Sequence, residues 1–302
     1  MNCSKTLLTL ALACAAITFS LGVRAQAQTV TFVADFNGGN GWEPFGSVLQ
    51  ATDGNFYGTT ASGGIYKSGN VFRMTPGGEI VSIYSFCSQT NCADGQYPQT
   101  APILGSDGNL YGVTLAGGTG VGGGGNGTVY RMTLNGKITT LHAFSSCYTG
   151  CADGANPNGI ILASDGNFYG TTNGGGAGDV GTIFQISSTG EFKTLYSLCS
   201  QANCADGEFL AYPPVEGNDG NLYGTTLIGG TLGGGVFYQI TSAGAYKVLH
   251  NFCRLPDENC NEGAYPYDIV QGADGNFYGT ATGVVFEITP TGQYTKLYGF
   301  DY

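Results

Sequence analysis

Past residue 28 the chain alternates short runs of β-branched and aromatic residues with clusters of Gly, Asn, Asp, Ser and Thr, and no stretch carries apolar residues at helical spacing. The runs keep a fixed order. In the second repeat, 101–105 reads as a strand, 106–109 as a turn, 110–115 as a strand and 116–127 as a Gly-rich loop. A third strand at 128–133, a turn at 134–136 and a fourth strand at 137–144 complete the unit. The third strand recurs as Val71-Phe72-Arg73-Met74, Val129-Tyr130-Arg131-Met132, Ile183-Phe184-Gln185-Ile186, Phe237-Tyr238-Gln239-Ile240 and Val285-Phe286-Glu287-Ile288. One polar position among strand-formers suits burial on one face or nearly both. The fourth-strand pattern occurs six times, ending at Phe36, Phe86, Phe144, Leu198, Phe252 and Phe300, so one copy precedes the first full unit.

Between first and second strands stands a six-residue motif, Asp-Gly-Asn-(Phe/Leu)-Tyr-Gly, starting at Asp53, Asp107, Asp165, Asp219 and Asp274. The intervals are 54, 58, 54 and 55 residues, a period that precedes any single-residue reading. Asp-Gly-Asn is turn chemistry: a short acceptor followed by residues that tolerate positive φ, which lets two antiparallel strands reverse tightly. Each Asp stands alone, without the run of oxygen donors a calcium loop supplies, so the expected role is turn capping and no metal is implied. A second motif, Asn40, Asp94, Asp153, Asp206 or Glu262 followed by Gly, precedes the turn Asp by 12 or 13 residues each time. Tandem four-stranded units of this length predict an all-β chain, a five-bladed β-propeller whose blades cover one another's apolar faces.

Residues 1–27 read as a signal peptide: Lys5, an apolar run from Leu7 to Leu21, and Ala25-Gln26-Ala27 as the cleavage signal. That leaves 28–302 as one propeller domain, with no second apolar run long enough to span a bilayer, and places it outside the cytoplasm, secreted, periplasmic or at the cell surface. Losing Lys5 and Arg24 leaves 8 basic against 21 acidic residues, a charge of −13. A chain so acidic repels phosphate backbones and anionic lipid, which argues against nucleic acid and membrane as partners. Eight cysteines remain, in four close pairs: Cys87 with Cys92, Cys147 with Cys151, Cys199 with Cys204, and Cys253 with Cys260. In an exported chain these read as four local disulfides. A zinc site would need pairs a full repeat apart to converge.

The tandem Asp-Gly-Asn-Phe-Tyr-Gly-Thr-Thr, the Gly-Gly after it, the Val-Phe-Arg-Met strand and the Leu-x-x-Phe strand resemble the GloVer repeat of exported bacterial proteins. The resemblance spans nearly all of the chain past the leader and implies a repeat architecture outside the cytoplasm. It carries no catalytic residue. Five blades are also similar, at the level of fold alone, to tachylectin-type sugar-binding propellers and five-bladed glycosidases.

In an up-and-down blade the Asp-Gly-Asn turns share one side of the disc, and the cysteine loops and long Gly-rich loops share the other, where binding is expected. The aromatic candidates there are Trp42, Tyr97, Tyr148, Phe209, Tyr212, Tyr265 and Tyr267. Flat rings beside carboxylates and amides suit sugars, whose apolar faces stack while their hydroxyls bond; packing of loop on loop is the alternative use of a ring. His142 and His250 occupy the position held by Tyr84, Tyr196 and Tyr298 in other repeats, which marks them as site-fillers rather than catalysts or ligands. No nucleophile–histidine–acid set can then be assembled, and no cofactor is implied. A glycosidase would use carboxylates outside the repeat consensus, for which Glu43, Glu208, Glu216 and Asp268 are the candidates on or entering first strands. The first reading is therefore a non-catalytic module binding glycan or protein; the alternatives are a polysaccharide-cleaving enzyme and a structural envelope component.

Overall fold

The computed structural model describes residues 33–120, 124–147, 149–254 and 262–300; the segment 1–27 expected to be a signal peptide, Tyr148 and Cys260 lie outside them. Among these residues twenty strands form five four-stranded antiparallel sheets, each a simple meander. The first blade is β1 (Trp42–Gln50), β2 (Phe56–Ser62), β3 (Asn70–Met74) and β4 (Ile80–Ser85). The second is β5 (Ile103–Leu104), β6 (Leu110–Thr114), β7 (Thr128–Met132) and β8 (Ile138–Ala143). The third runs β9 (Ala155–Leu162), β10 (Phe168–Gly174), β11 (Thr182–Ile186) and β12 (Phe192–Ser197). The fourth runs β13 (Val215–Glu216), β14 (Leu222–Thr225), β15 (Gly233–Ile240) and β16 (Tyr246–Cys253), and the fifth β17 (Ile269–Gln271), β18 (Phe277–Ala281), β19 (Val284–Ile288) and β20 (Tyr294–Gly299).

First strands vary most. β5 and β13 have two residues each, and Pro102 and Pro214, which lack an N–H, stand just before them. Val48 and Ile160 stand at that position in β1 and β9, which run to nine and eight residues.

The motif closes each turn as its chemistry predicts. Asp53 Oδ1 accepts the Asn55 N–H at 3.0 Å, its Oδ2 accepts Asn55 Nδ2 at 2.9 Å, and Gly54 takes a φ of +80°. The same Oδ2 also accepts the Tyr57 hydroxyl at 2.8 Å, and the four later copies repeat the bond. The Gly that ends the motif is needed for space. Gly58, Gly112, Gly170, Gly224 and Gly279 each pair with the ring at the centre of the third strand, and a Cβ there would run into Phe72, Tyr130, Phe184, Tyr238 or Phe286.

Core clusters lie between sheets. Tyr57, Val71 and Phe86 meet Leu110, Tyr130 and Met132 of the next blade; Tyr111, Val129 and Phe144 meet Phe168, Phe184 and Ile186. Tyr169, Ile183 and Leu198 meet Leu222, Tyr238 and Ile240, and Tyr223, Phe237 and Phe252 meet Phe277, Phe286 and Ile288. At about 25 cal/mol per Å² of apolar surface, such faces supply the main stabilisation, and no blade can hide both of its own. Phe36 packs edge-on against Phe72 at 5.1 Å, much as Phe86 meets Tyr130 at 5.3 Å, so the extra fourth-strand copy ends by covering the first sheet. Among the described residues, the junction of the fifth blade with the first is less covered than the others. Tyr298 and Phe300 of the fifth blade are 61% and 53% exposed, and Val48 of the first is 47% exposed. The counterparts of Phe300, namely Phe86, Phe144, Leu198 and Phe252, are fully buried.

Candidate functional site

The loop side is built around the second motif. Asp94 and Asp206 are fully buried. Asp94 Oδ2 accepts the Tyr84 hydroxyl at 2.7 Å and the Ser88 N–H at 2.9 Å, and its Oδ1 accepts the Gln89 N–H at 3.2 Å. Asp206 binds Tyr196, Ser200 and Gln201 in the same way. In blades two and four the partner is histidine: His142 Nε2 lies 3.1 Å from Asp153 and His250 Nε2 3.1 Å from Glu262. Burial lowers the His250 pKa against the opposing pull of Glu262. Both rings also stack on the next blade, His142 on Phe192 at 3.8 Å and His250 on Tyr294 at 5.1 Å.

These carboxylates tether the cysteine loops. Disulfides join Cys87 to Cys92, Cys147 to Cys151 and Cys199 to Cys204, and Cys253 is disulfide-bonded as well. Three residues after Asn40 and after each of the loop acids Asp94, Asp153, Asp206 and Glu262, the residues Glu43, Tyr97, Asn156, Phe209 and Tyr265 take φ of 55–58°. Except at Glu43, that geometry aims a backbone N–H at the preceding blade: Tyr97 to Ser68 O, Asn156 to Asn126 O, Phe209 to Val180 O and Tyr265 to Gly234 O. Left-handed backbone at bulky residues costs about 1–3 kcal/mol, and the repeated bond between blades accompanies it. The conformation at Tyr97, Phe209 and Tyr265 thus serves assembly, which spacing did not reveal.

Two grooves of one design open on this side. In the first blade Trp42, 63% exposed, borders a cavity of about 520 Å³ with Gly38, Gly39, Gly63, Gly64 and Lys67. In the fourth blade Glu208 takes the Trp42 position and Gly229-Gly230 that of Gly63-Gly64, beside Asn203, Arg254 and Tyr265, around about 260 Å³. Glu43 lies near the first groove, where it accepts the Ser62 hydroxyl at 3.0 Å.

A third cavity of about 500 Å³ sits where the five first strands converge. Counting two residues back from the residue that pairs with each motif tyrosine gives Ser47, Ala101, Gly159, Pro213 and Asp268, and all five line it. Tyr212 joins them, held where its carbonyl accepts the Thr171 hydroxyl at 2.9 Å; Tyr267 is held likewise by Thr225 at 2.6 Å, outside the lining. Asp268 Oδ1 accepts the Ile269 N–H at 2.9 Å, and burial raises its carboxyl pKa despite that bond. Glu216 points elsewhere, accepting the Ser164 N–H at 2.8 Å and the Ser164 hydroxyl on the motif side. The four candidate carboxylates thus occupy separate surroundings. Among the described residues no group of three or more His, Cys, Asp or Glu is placed to hold a metal ion, and no helix is long and apolar enough to cross a membrane.

The model of the Gloeobacter/Verrucomicrobia repeat matches residues 16–212 and 121–302. The chain belongs to this repeat family. Among solved structures, this family member is similar to a catalytically inactive virginiamycin B lyase from Staphylococcus aureus bound to quinupristin, at 17% identity and a TM-score of 0.53, covering 84% of this chain and 69% of that one. A streptogramin B lyase is similar at 17% identity and 0.52, over 86% and 69%. So is the extracellular domain of a hybrid two-component system from B. thetaiotaomicron, at 13% and 0.52, over 86% and 31%. At these identities the likeness establishes the β-propeller fold and carries no activity. No curated protein matches the chain.

Proposed function

We propose that this propeller is an exported, non-catalytic module that binds glycan on its disulfide-bearing side, with residues 1–27 as a leader that is removed. The observation that carries the reading is Trp42. This indole, the only one in the chain, is 63% exposed above a groove rich in glycine, where backbone comes close to the surface. A ring left mostly exposed adds little to the core, and its apolar face is free to stack on a sugar while Lys67 and the loop backbone meet hydroxyls. The fourth-blade groove offers Tyr265 with Asn203, Glu208 and Arg254, so two sites of related shape favour a repeating polymer. The disulfides support an oxidising compartment. Cleavage would need a pair of carboxylates about 5–9 Å apart. Asp268 is the only carboxylate among the described residues that line the central cleft, which favours binding over hydrolysis.

A glycan array probed with the mature protein tests this. Binding that drops at least tenfold in Trp42→Ala and less in Tyr265→Ala is expected. An array with no hit, or equal binding by Trp42→Ala, removes the proposal; capture of a protein with no glycan bound points to the other kind of partner, and reducing-sugar release to the enzyme.

A further inference from the structure

We propose that the central cleft is a separate binding site, for a small molecule that carries a protonated amine on an apolar body, with the Asp268 carboxylate as counter-charge. The ring of equivalent positions is the starting point. Four blades place Ser47, Ala101, Gly159 and Pro213 there, small and uncharged, so the space stays open; the fifth places a carboxylate. Nothing in the repeat requires an acid at that position, since four blades pair their first and second strands without one.

The surroundings define the ligand. Val48, Leu49, Ile103 and Ile160 give the cleft apolar walls, and Tyr212 adds a ring that is 38% exposed. Among the described lining residues Asp268 is the only charged one, so its negative charge has no cation beside it in the cleft. The Asp268 side chain is open to solvent at the cleft, yet the groups packed around it strip away part of its hydration and raise its pKa. An ammonium supplies both the missing charge and N–H donors, and an apolar body replaces water along the walls. A metal ion fits worse, because one carboxylate does not make a ligand set. A sugar fits worse too, because aliphatic walls leave its hydroxyls unpaired.

The probes are benzylammonium and its neutral isostere benzyl alcohol, titrated by NMR into the mature protein. Saturable benzylammonium binding that perturbs Tyr212 is expected, at least tenfold tighter than benzyl alcohol and weakened at least tenfold by Asp268→Asn. Ala101→Lys, which supplies a resident ammonium to the same ring, is expected to abolish binding and serves if Asp268→Asn folds poorly. Equal affinity for both probes, no binding of either, or unchanged affinity in a folded Asp268→Asn or Ala101→Lys protein overturns the proposal. None of these outcomes depends on the glycan grooves.

Discussion

His142 Nε2 lies 3.1 Å from Asp153 Oδ2, in the place where Tyr84 gives its hydroxyl to Asp94 at 2.7 Å and Tyr196 to Asp206 at 2.8 Å. Two different side chains answer one requirement: a donor on the fourth strand that reaches the acid of the next connection. His142→Tyr should therefore leave stability unchanged within about 0.5 kcal/mol, while His142→Phe, which keeps the ring stacked on Phe192 but loses the donor, should cost about 1–2 kcal/mol. Asp94→Ala, which leaves the donors of Tyr84, Ser88 and Gln89 unanswered, should cost about 3 kcal/mol. Urea denaturation of the purified variants measures all three.

Tyr130 and Tyr238 are fully buried and their hydroxyls have no hydrogen-bond partner, whereas blades one, three and five carry Phe72, Phe184 and Phe286 at that place. Tyr130→Phe and Tyr238→Phe should hold stability or raise it by about 1 kcal/mol. Tyr57→Phe, which removes a hydroxyl that Asp53 accepts, should lower it by about 1–2 kcal/mol. A gain from Tyr57→Phe, or a loss from Tyr130→Phe, would contradict this division.

The motif makes folding sensitive to pH at both ends. Burial raises Asp53, Asp107, Asp165 and Asp219, but hydrogen bonds from the motif's Asn and Tyr outweigh it and hold all four below the usual carboxylate range. Asp274 is held low chiefly by Tyr278. A lowered folded pKa means the unfolded chain takes up protons first, so this contribution is complete above about pH 4 and is lost as pH falls through the folded values. Burial first, then the aspartate bond, pushes Tyr57, Tyr111 and Tyr223 up to about 12. Here the sign reverses: their contribution is complete below about pH 10 and is lost as pH rises through the folded values. Melting temperatures should therefore decline below about pH 4 and above about pH 10, and five motif Asp→Asn changes together should flatten the acid limb.

Breaking one disulfide should loosen its loop rather than the propeller. By chain entropy a five-residue loop is worth about 2 kcal/mol, and in Cys87→Ser/Cys92→Ser the Asp94 bonds to Ser88 and Gln89 remain. Hydrogen exchange at 88–93 should accelerate while the β6 and β7 amides stay protected; acceleration across the whole second blade would show that the staple holds more than its loop.

Much of this molecule follows from local chemistry that repeats. The second blade's 110–115, 128–133 and 137–144 were legible to within a residue or so, because β-branched and aromatic runs bounded by Asp-Gly-Asn or Asn-Gly admit few other conformations. The His–Tyr exchange likewise anticipated that His142 and His250 stand where Tyr84 and Tyr196 stand, beside the acid of the next connection. The sequence by itself also determined the count of five units and their order, since a blade is made within one repeat.

Other features belong to the tertiary structure alone. Phe300 reads like Phe86, yet one is exposed and the other buried, because burial depends on what lies across the interface and not on the residue. Glu216 and Asp268 were equivalent candidates near first strands. Only the direction each side chain takes, one bonded to Ser164 and one beside the central cleft, separates them. Likewise Ser47, Ala101, Gly159, Pro213 and Asp268 share no residue type, so no motif marks them. They become one ring only when five first strands converge, because a site assembled by symmetry is specified by position in space rather than by neighbours along the chain.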